Sequence, residues 1–579
     1  MDLDVAVVGG GVSGAYSAWR LQSEQGYAGR IALFEYSNRI GGRLFTITMN
    51  GLPHVKAEVG GMRYIKDQHP VVTSIIDHLK LSTAPFPMGS PDKRIGANCN
   101  LFYLRGKHLR LHELADPDKV PYNLGWPERG MGPTELQIQV MNNIYPNFGN
   151  LSLCDQMKIQ VFGQPLYKFG FWNLLYRVLS NEGYQFMKDA GGYEANVANA
   201  CAVTQLPATE YGDNTEFLTL RDGYDQLPIT LARRFQEMPG VLPAEQRVLM
   251  NHRLVRIDIE EGEYPYILHF EPTVTEKHIT RVRPAGGSEG PRRVRAKKVI
   301  LAMPRRSLEL IQSEFFNDPF LRENLPSVLI QSAFKLFLAY ERPWWRALGL
   351  VAGRSVTDLP VRQIYYFGTE AEQPGGNPWF NSLLMASYND IGTVPFWKGL
   401  EEGKPYCGYT PSCGANTGTL APGNLPATDQ MVRIAHKQVE EVHGLPEIPP
   451  PYAAVYHSWN EDPYGGGWHE WKAGFRLDEI MCRMRKPVPK EDIFIVGEAY
   501  SYYQGWVEGA LDTAESALQD FFGLKPPPWL HLGDNTLMPN PCPGCGHIPE
   551  DPPPCVPVNA QTKDLDQITP SCLEEGPIQ

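Results

Sequence analysis

MDLDVAVVGGGVSGAYSAWRLQSEQGYAGRIALFEYSNRIGGR, residues 1–43, sets a short apolar run, a glycine turn, a helical stretch and a second apolar run in succession. Residues 4–8 (DVAVV) and 30–35 (RIALFE) read as strands, with helical sequence (VSGAYSAWRLQSEQ) between them. This opens a βαβ unit. Gly9, Gly11 and Gly14 form G-x-G-x-x-G at the first strand–helix junction. Gly9 permits the tight turn, Gly11 lets the backbone approach a pyrophosphate, and Gly14 lets helix and strand pack closely. The helix begins at Val12 and Ser13, where free N–H groups and the positive end of the dipole suit phosphate. Glu35 ends the second strand about 20 residues on, the place of a carboxylate that holds ribose hydroxyls. Gly41 and Gly42 bring further amides toward the diphosphate, and Arg43 can neutralise it.

Outward from this unit the chain reads as α/β with interleaved parts. Its 579 residues exceed what one core supports, so two or three subdomains are expected. Residues 106–215 carry amphipathic helical stretches such as FGFWNLLYRVLSNEGYQFMKD, with few strand signals. Strand patterns return at RLVRIDIEE, YPYILHF and KKVILAMP within 250–304, and at SAFKLFLAY, RQIYYFG and FNSLLMASY within 332–388. IFIVGE and the helical VEGALDTAESALQDFF close the regular part, and the tail after about 525 is irregular and rich in Pro and Cys.

Lys+Arg 53 against Asp+Glu 65 gives a net charge of −12, which argues against nucleic acid or an anionic membrane as partner. The basic stretch RVRPAGGSEGPRRVRAKK (281–298) reads as a solvated hairpin loop. The acidic start lacks the basic flank of a signal peptide, and no apolar run approaches the ~20 residues of a membrane helix, so a cytoplasmic protein is expected. Ten Cys in this length are not a disulfide framework. Cys542, Cys545 and Cys555 cluster with His547, but the second pair of a zinc site is lacking, and no H-E-x-x-H or P-loop is found. No metal is expected.

E-x-x-x-R-x-G-G-R, from Glu35 to Arg43, following G-x-G-x-x-G resembles the flavin-containing amine oxidase family, whose cofactor is FAD. EVGGMRY (58–64), with Gly61, Met62 and Arg63, is similar to the stretch that runs beneath the flavin. IFIVGEAYSYYQGWVEGAL (493–511) resembles the last flavin-binding strand and helix. The resemblance covers roughly residues 4 to 523. It implies Gly497 and Glu498 at the ribityl chain, a helix from Val507 aimed at the flavin pyrimidine, and the Leu254 backbone at the adenine. It also implies a Rossmann-like FAD-binding domain (1–48, 216–305 and 485–525) interleaved with a mixed-sheet substrate domain (49–105 and 306–484). A helical domain (106–215) and an irregular extension (526–579) complete the organisation.

Within that family the residues look most like the L-amino-acid oxidases. Arg63 in GGMR can grip a carboxylate with two hydrogen bonds, and by resemblance Tyr388 shares that carboxylate while Tyr365 forms an aromatic wall. Lys335 interrupts the apolar AFKLFLAY, where a buried ammonium is costly unless functional; the alternative is a solvated strand face. By resemblance it holds a water against flavin N5 and assists reoxidation by O2. The Gly505 carbonyl accepts from the substrate amine and Trp506 flanks the reacting carbon, while Trp459 and Trp468 approach the same site. Asp390, two residues past Tyr388, is either a receiver for a cationic substrate side chain or a solvent-facing strand end. Tyr36 stands where an arginine often follows the ribose-binding acid, and the histidine that some such oxidases carry in the helical domain has no counterpart.

The implied reaction is hydride transfer from the α-carbon of an L-amino acid to the flavin, with O2 as acceptor, giving a 2-oxo acid, ammonia and hydrogen peroxide. A homodimer is expected by the same resemblance. Two alternatives stand beside it: an amino-acid 2-monooxygenase, and a flavin-free binding protein like the Rab dissociation inhibitors.

Overall fold

A computed structural model describes residues 1–533 and 537, apart from 24–28, 93–96, 147, 149–150, 206–214, 277, 284–291, 374, 377–381 and 409–426. The opening strand Asp2–Val8 lies inside an eight-stranded sheet. It pairs in parallel with Ile31–Phe34 on one side and Arg292–Leu301 on the other, and the latter pairs in parallel with Ile493–Ile495. The registers Val8↔Phe34, Val8↔Leu301 and Leu301↔Ile495 bring four strand ends to one level. Gly9, Glu35, Ala302 and Val496 leave the sheet together there, the edge at which open parallel sheets bind ligands. Of the remaining four strands, Val248–Leu249 pairs in parallel with Ile31–Phe34, and Tyr266–Glu276, His252–Ile259 and Ile279–Val282 join antiparallel.

Toward these ends the central strands (Val5–Val8, Ile31–Phe34 and Val299–Leu301) are apolar without alternation because helices cover the sheet. Helix Val12–Ser23 packs against Gln226–Glu237 and the terminal helix Val507–Phe522 and is buried from Val12 to Leu21. At this contact Tyr16 donates to Glu515 at 2.7 Å and Arg20 Nε donates to the same carboxylate at 3.2 Å. Both charged side chains are almost wholly buried, so the first and last helices share one desolvated ion pair.

A seven-stranded sheet runs Lys107–Arg110, Leu101–Leu104, Arg354–Thr357, Gln363–Thr369, Ser382–Asp390, Ala333–Tyr340 and Ala453–Ser458. Helix Asp429–His443 covers one face with Met431, Ala435 and Val439. Ala333, Phe337 and Ala339 turn the other face toward Val59 and Met62, near the first sheet. Lys335 has the parity of this second set, and all eight residues of its strand are buried, so no solvated face receives it.

Three expectations change. The helical run from 169 to 189 is two helices, Phe171–Val178 and Asn181–Gly191, because the Ser180 hydroxyl accepts the Gly183 N–H and starts a new helix. Lys107–Arg110 lies in the seven-stranded sheet. The basic stretch is not a loop throughout: its alternating end, Arg292–Lys298, lies in a central strand. Cys482 is disulfide-bonded, while Cys99, Cys154, Cys201 and Cys407 are free thiols. Cys542, Cys545, His547 and Cys555 lie outside the described residues. Among the described residues no helix is long and apolar enough to cross a membrane, and no group of three or more His, Cys, Asp or Glu is placed to hold a metal.

Replacing Glu515 by Leu leaves Arg20 buried without its carboxylate, an expected loss of about 3–5 kcal/mol in chemical denaturation. The double replacement Arg20→Met, Glu515→Leu should recover most of it; equal losses in both proteins would show that the pair is not the cause.

Candidate active site

The level strand ends border a cavity of about 530 Å3. At its sheet end Gly9 takes φ +112°, and a Cβ there would meet the Ala302 carbonyl oxygen at 2.2 Å. A Cβ on Gly14 would meet the Gly9 oxygen at 1.9 Å, so Gly14 serves helix–strand contact and does not line the cavity. Gly11 differs: the nearest atom to an added Cβ is Gly42 Cα at 3.8 Å, so its open side faces the cavity. Val12 and Ser13 line the cavity at the helix N-terminus. Glu35 lies beside them, with Oε2 accepting the Gly10 N–H at 2.7 Å and Oε1 accepting the Ser37 N–H at 2.8 Å. Leu254 completes this end.

Further in, Glu498 gathers three stretches of chain. Its Oε1 accepts from Arg43 Nη1 at 2.5 Å and from His469 Nδ1 at 2.6 Å, and its Oε2 accepts the Gly505 N–H at 3.0 Å. Burial alone would raise the Glu498 pKa, but the Arg43 charge and the hydrogen bonds from His469 and Gly505 bring it down to about 2. His469 is fully buried, and its Nε2 has no partner among the described residues. Gly42, Gly61, Met62, Gly497, Trp506 and Val507 line the same space.

Arg63 projects into an aromatic chamber. Its guanidinium carbon is 4.8 Å from the Phe217 ring centroid and 5.8 Å from that of Tyr365, and its Nη1 is 3.4 Å from the Tyr365 hydroxyl. Tyr193 joins the group, with its hydroxyl 3.2 Å from that of Tyr365 and its ring edge-on to Tyr388 at 5.2 Å. Lys335 Nζ is 4.5 Å from the Tyr388 ring centroid and donates to the carbonyls of Gly60 (2.6 Å) and Glu58 (3.1 Å). Burial lowers the Lys335 pKa to about 7, and burial raises that of nearby Glu58 to about 8. Trp468 stands over Gly505, whose ideal Cβ position is 3.5 Å from the indole.

Not all of the expected residues meet. Tyr365 touches Arg63 but borders a separate cavity of about 160 Å3 behind the chamber. Trp459 does not line the large cavity: its Nε1 donates to Val59 O at 2.8 Å and its ring packs on His457 and Tyr464, bracing the 58–62 segment from behind. Asp390 neither receives a side chain nor meets solvent. Its strand is buried on both faces, and its carboxylate accepts the N–H groups of Glu194 (3.1 Å) and Ala195 (2.8 Å). Burial raises its pKa to about 6.

Three lining residues had no sequence signal. Tyr193 arrives from the helical region. Glu470 follows Trp468 along one strand. His69 lies 4.7 Å from the Trp506 ring and accepts the Ile65 N–H on Nδ1, so its proton is on Nε2; burial holds its pKa at about 3, leaving the ring neutral.

A glycine-lined phosphate cradle, a ribose-range acid and a buried chamber beyond them define a dinucleotide-binding oxidoreductase, and the donor set fits FAD. Residues 12–520 match the flavin containing amine oxidoreductases, and the chain belongs to that family, with FAD as its cofactor. It is 30% identical to Aplysianin-A of Aplysia kurodai, covering 92% of each chain. It is 28% identical to achacin of Lissachatina fulica (90% of this chain, 93% of that one). It is 25% identical to an L-amino-acid oxidase of Mus musculus (88% and 69%). Among solved structures it resembles putrescine oxidase bound to putrescine, with a TM-score of 0.58 at 16% identity over 90% of this chain and 100% of that one, a likeness of fold.

Two glycine substitutions should part company. Gly14→Ala forces backbone apart and is expected to cost about 1–3 kcal/mol of stability. Gly11→Ala fits the protein but intrudes on the phosphate cradle, so the apoprotein should melt as the parent does while flavin absorbance after purification is lost. Matching behaviour of the two would contradict the division of roles.

Lys335 gives a pH test. Its ammonium pKa falls from 10.5 to about 7 in the fold, so the unfolded chain binds the extra proton between these values and this group's contribution to stability rises with pH across that window. The gain in melting temperature of Lys335→Met over the parent should therefore be largest near pH 6 and shrink by pH 9. A constant gap would refute the depressed pKa.

Proposed function

We propose that the protein oxidises L-amino acids to 2-oxo acids, ammonia and hydrogen peroxide. The observation that carries this is Arg63, a guanidinium buried in an aromatic chamber beside Tyr388 and at one end of the flavin cradle. An amine substrate gives a buried arginine nothing to bind, whereas an amino acid brings a carboxylate that it can hold through two hydrogen bonds. The name of the mouse relative, an L-amino-acid oxidase, points the same way.

In this reading Arg63 and the Tyr388 phenol hold the carboxylate, the Gly505 carbonyl accepts from the amine, and Trp506 and Trp468 fix the α-carbon between them. FAD supplies the two-electron acceptor. His69 is neutral with its proton on Nε2, so it offers a donor; the substrate amine reacts in its neutral form, with its lone pair driving hydride departure. The imino acid that leaves hydrolyses to the 2-oxo acid and ammonia, and O2 takes the electron pair with two protons to give hydrogen peroxide. Lys335, with a pKa of about 7, can hold a water or pass a proton at that face near neutral pH.

The purified protein should be yellow and should bleach under nitrogen with L- but not D-amino acids, and in air should yield peroxide and 2-oxo acid in equal amounts. Arg63→Met should raise KM for amino acids about 10- to 100-fold, the worth of a charge-assisted hydrogen bond. Failure of every L-amino acid to bleach the flavin would overturn the reading, and an amide product without peroxide would make the protein a monooxygenase.

A further inference from the structure

We propose that Asp390 is a positioning residue of the substrate chamber: it clasps the backbone at residues 194 and 195 and so seats Tyr193 and Asn196 in the chamber wall. The inference rests on the oxidase reading above and adds to it the part played by the helical region. Tyr193 and Asn196 line the cavity, and the two residues between them do not. Those two are the ones Asp390 grips, its carboxylate accepting the Glu194 N–H at 3.1 Å and the Ala195 N–H at 2.8 Å.

The grip is reciprocal. Glu194 Oε2 accepts the Gly392 N–H at 3.1 Å, two residues beyond Asp390, and Glu194 Oε1 pairs with Lys188 at 2.9 Å. Neighbouring strands hold the chain before Tyr193 through groups of opposite polarity. Arg354 donates to the Gly191 carbonyl at 3.1 Å, and Arg362 donates to the carbonyls of Lys188 (2.8 Å) and Gly192 (3.4 Å). These carbonyls lie at the end of helix Asn181–Gly191, where the dipole favours cations. Carbonyls thus meet arginines and N–H groups meet an aspartate, so segment 188–195 fits this sheet in one register.

The clasp matters because of where Tyr193 stands. Its ring is edge-on to Tyr388 at 5.2 Å, and its hydroxyl is 3.2 Å from that of Tyr365, which lies 3.4 Å from Arg63 Nη1. In the oxidase reading Arg63 and Tyr388 hold the carboxylate, so Tyr193 backs both anchors. Strand Ser382–Asp390 therefore carries one anchor and, two residues on, the clasp for the wall behind it. Burial holds the Asp390 pKa up at about 6 against the pull of the two N–H groups, so the carboxylate is charged at neutral pH and both hydrogen bonds are charge-assisted. An asparagine has a single accepting oxygen and would turn its NH2 toward the second N–H.

The test is a double-mutant cycle on the holoprotein. The substrate is the L-amino acid that bleaches the parent fastest. Its Kd and the limiting rate of flavin reduction are measured under nitrogen in the parent, Asp390→Asn, Tyr193→Phe and the double variant. Each single variant should raise Kd about 3- to 10-fold, the worth of a hydrogen bond, with a smaller change in the limiting rate. Because Asp390 acts through Tyr193, the double variant should bind about as weakly as Asp390→Asn alone. Losses that multiply, or an unchanged Kd in either single variant, would overturn the proposal and leave the oxidase reading standing. If no L-amino acid bleaches the parent, both fall. Hydrogen exchange of the parent needs no variant: the Glu194 and Ala195 amides should be as protected as those of the neighbouring strands, and exchange at the rate of an open loop would refute the clasp.

Discussion

The Glu498 carboxylate is the constraint on which the site depends. One buried anion binds an arginine from residue 43, a histidine from 469 and a backbone N–H from 505. Each partner closes a different wall of the cavity. Arg43 ends the glycine-rich stretch after the second strand, His469 fixes the strand that carries Trp468 and Glu470, and Gly505 sets the entry to the terminal helix. A buried carboxylate is affordable only with such company, and a pKa brought down to about 2 shows that its partners outweigh burial. The same cluster thus stabilises the charge and assembles the cradle.

This convergence follows from the way the sheet is built. The chain lays down its first strand, returns at 292–301 and returns again at 493–495, so strands far apart in sequence end at one level. The Arg20–Glu515 pair makes the same connection between helices. Between these returns the chain inserts the seven-stranded sheet, whose face bearing Lys335 meets the 58–62 segment. The active chamber is the space between two sheets that sequence-distant strands hold in place.

Much of this was legible in the sequence because glycine spacing and short apolar runs are local signals. Gly9, Gly11, Gly14 and Glu35 declare a phosphate-binding turn within 35 residues, and Val507–Phe522 has the bounds its apolar pattern suggested. What the sequence concealed depends on tertiary contact. Asp390 shares the parity of Tyr388 along its strand, yet the backbone of 194–195 closes over it. Trp459 and Trp468 occupy one glycine-rich segment, and only packing assigns one to the wall behind and the other to the chamber. Tyr193 and His69 carry no motif, since each acquires its place from neighbours more than 170 and 430 residues away respectively, at Tyr365 and Trp506. Lys335 was readable as an oddity in an apolar strand, but not as a residue buried on a sheet with no solvated face.

The two cations of the chamber show why their identities are not interchangeable. Burial lowers the Lys335 ammonium to a pKa of about 7, and the Arg63 charge contributes in the same direction. A lysine in place of Arg63 would suffer the same depression and would lose its charge near neutral pH, along with its hold on a carboxylate. A guanidinium keeps its charge under such burial and offers a planar pair of donors to an oxyanion. The permanent charge therefore suits the anchor, and the titrating one suits the face where protons must be moved. Dividing the work this way lets one desolvated space keep a fixed binding charge while its second cation changes protonation state within the physiological range.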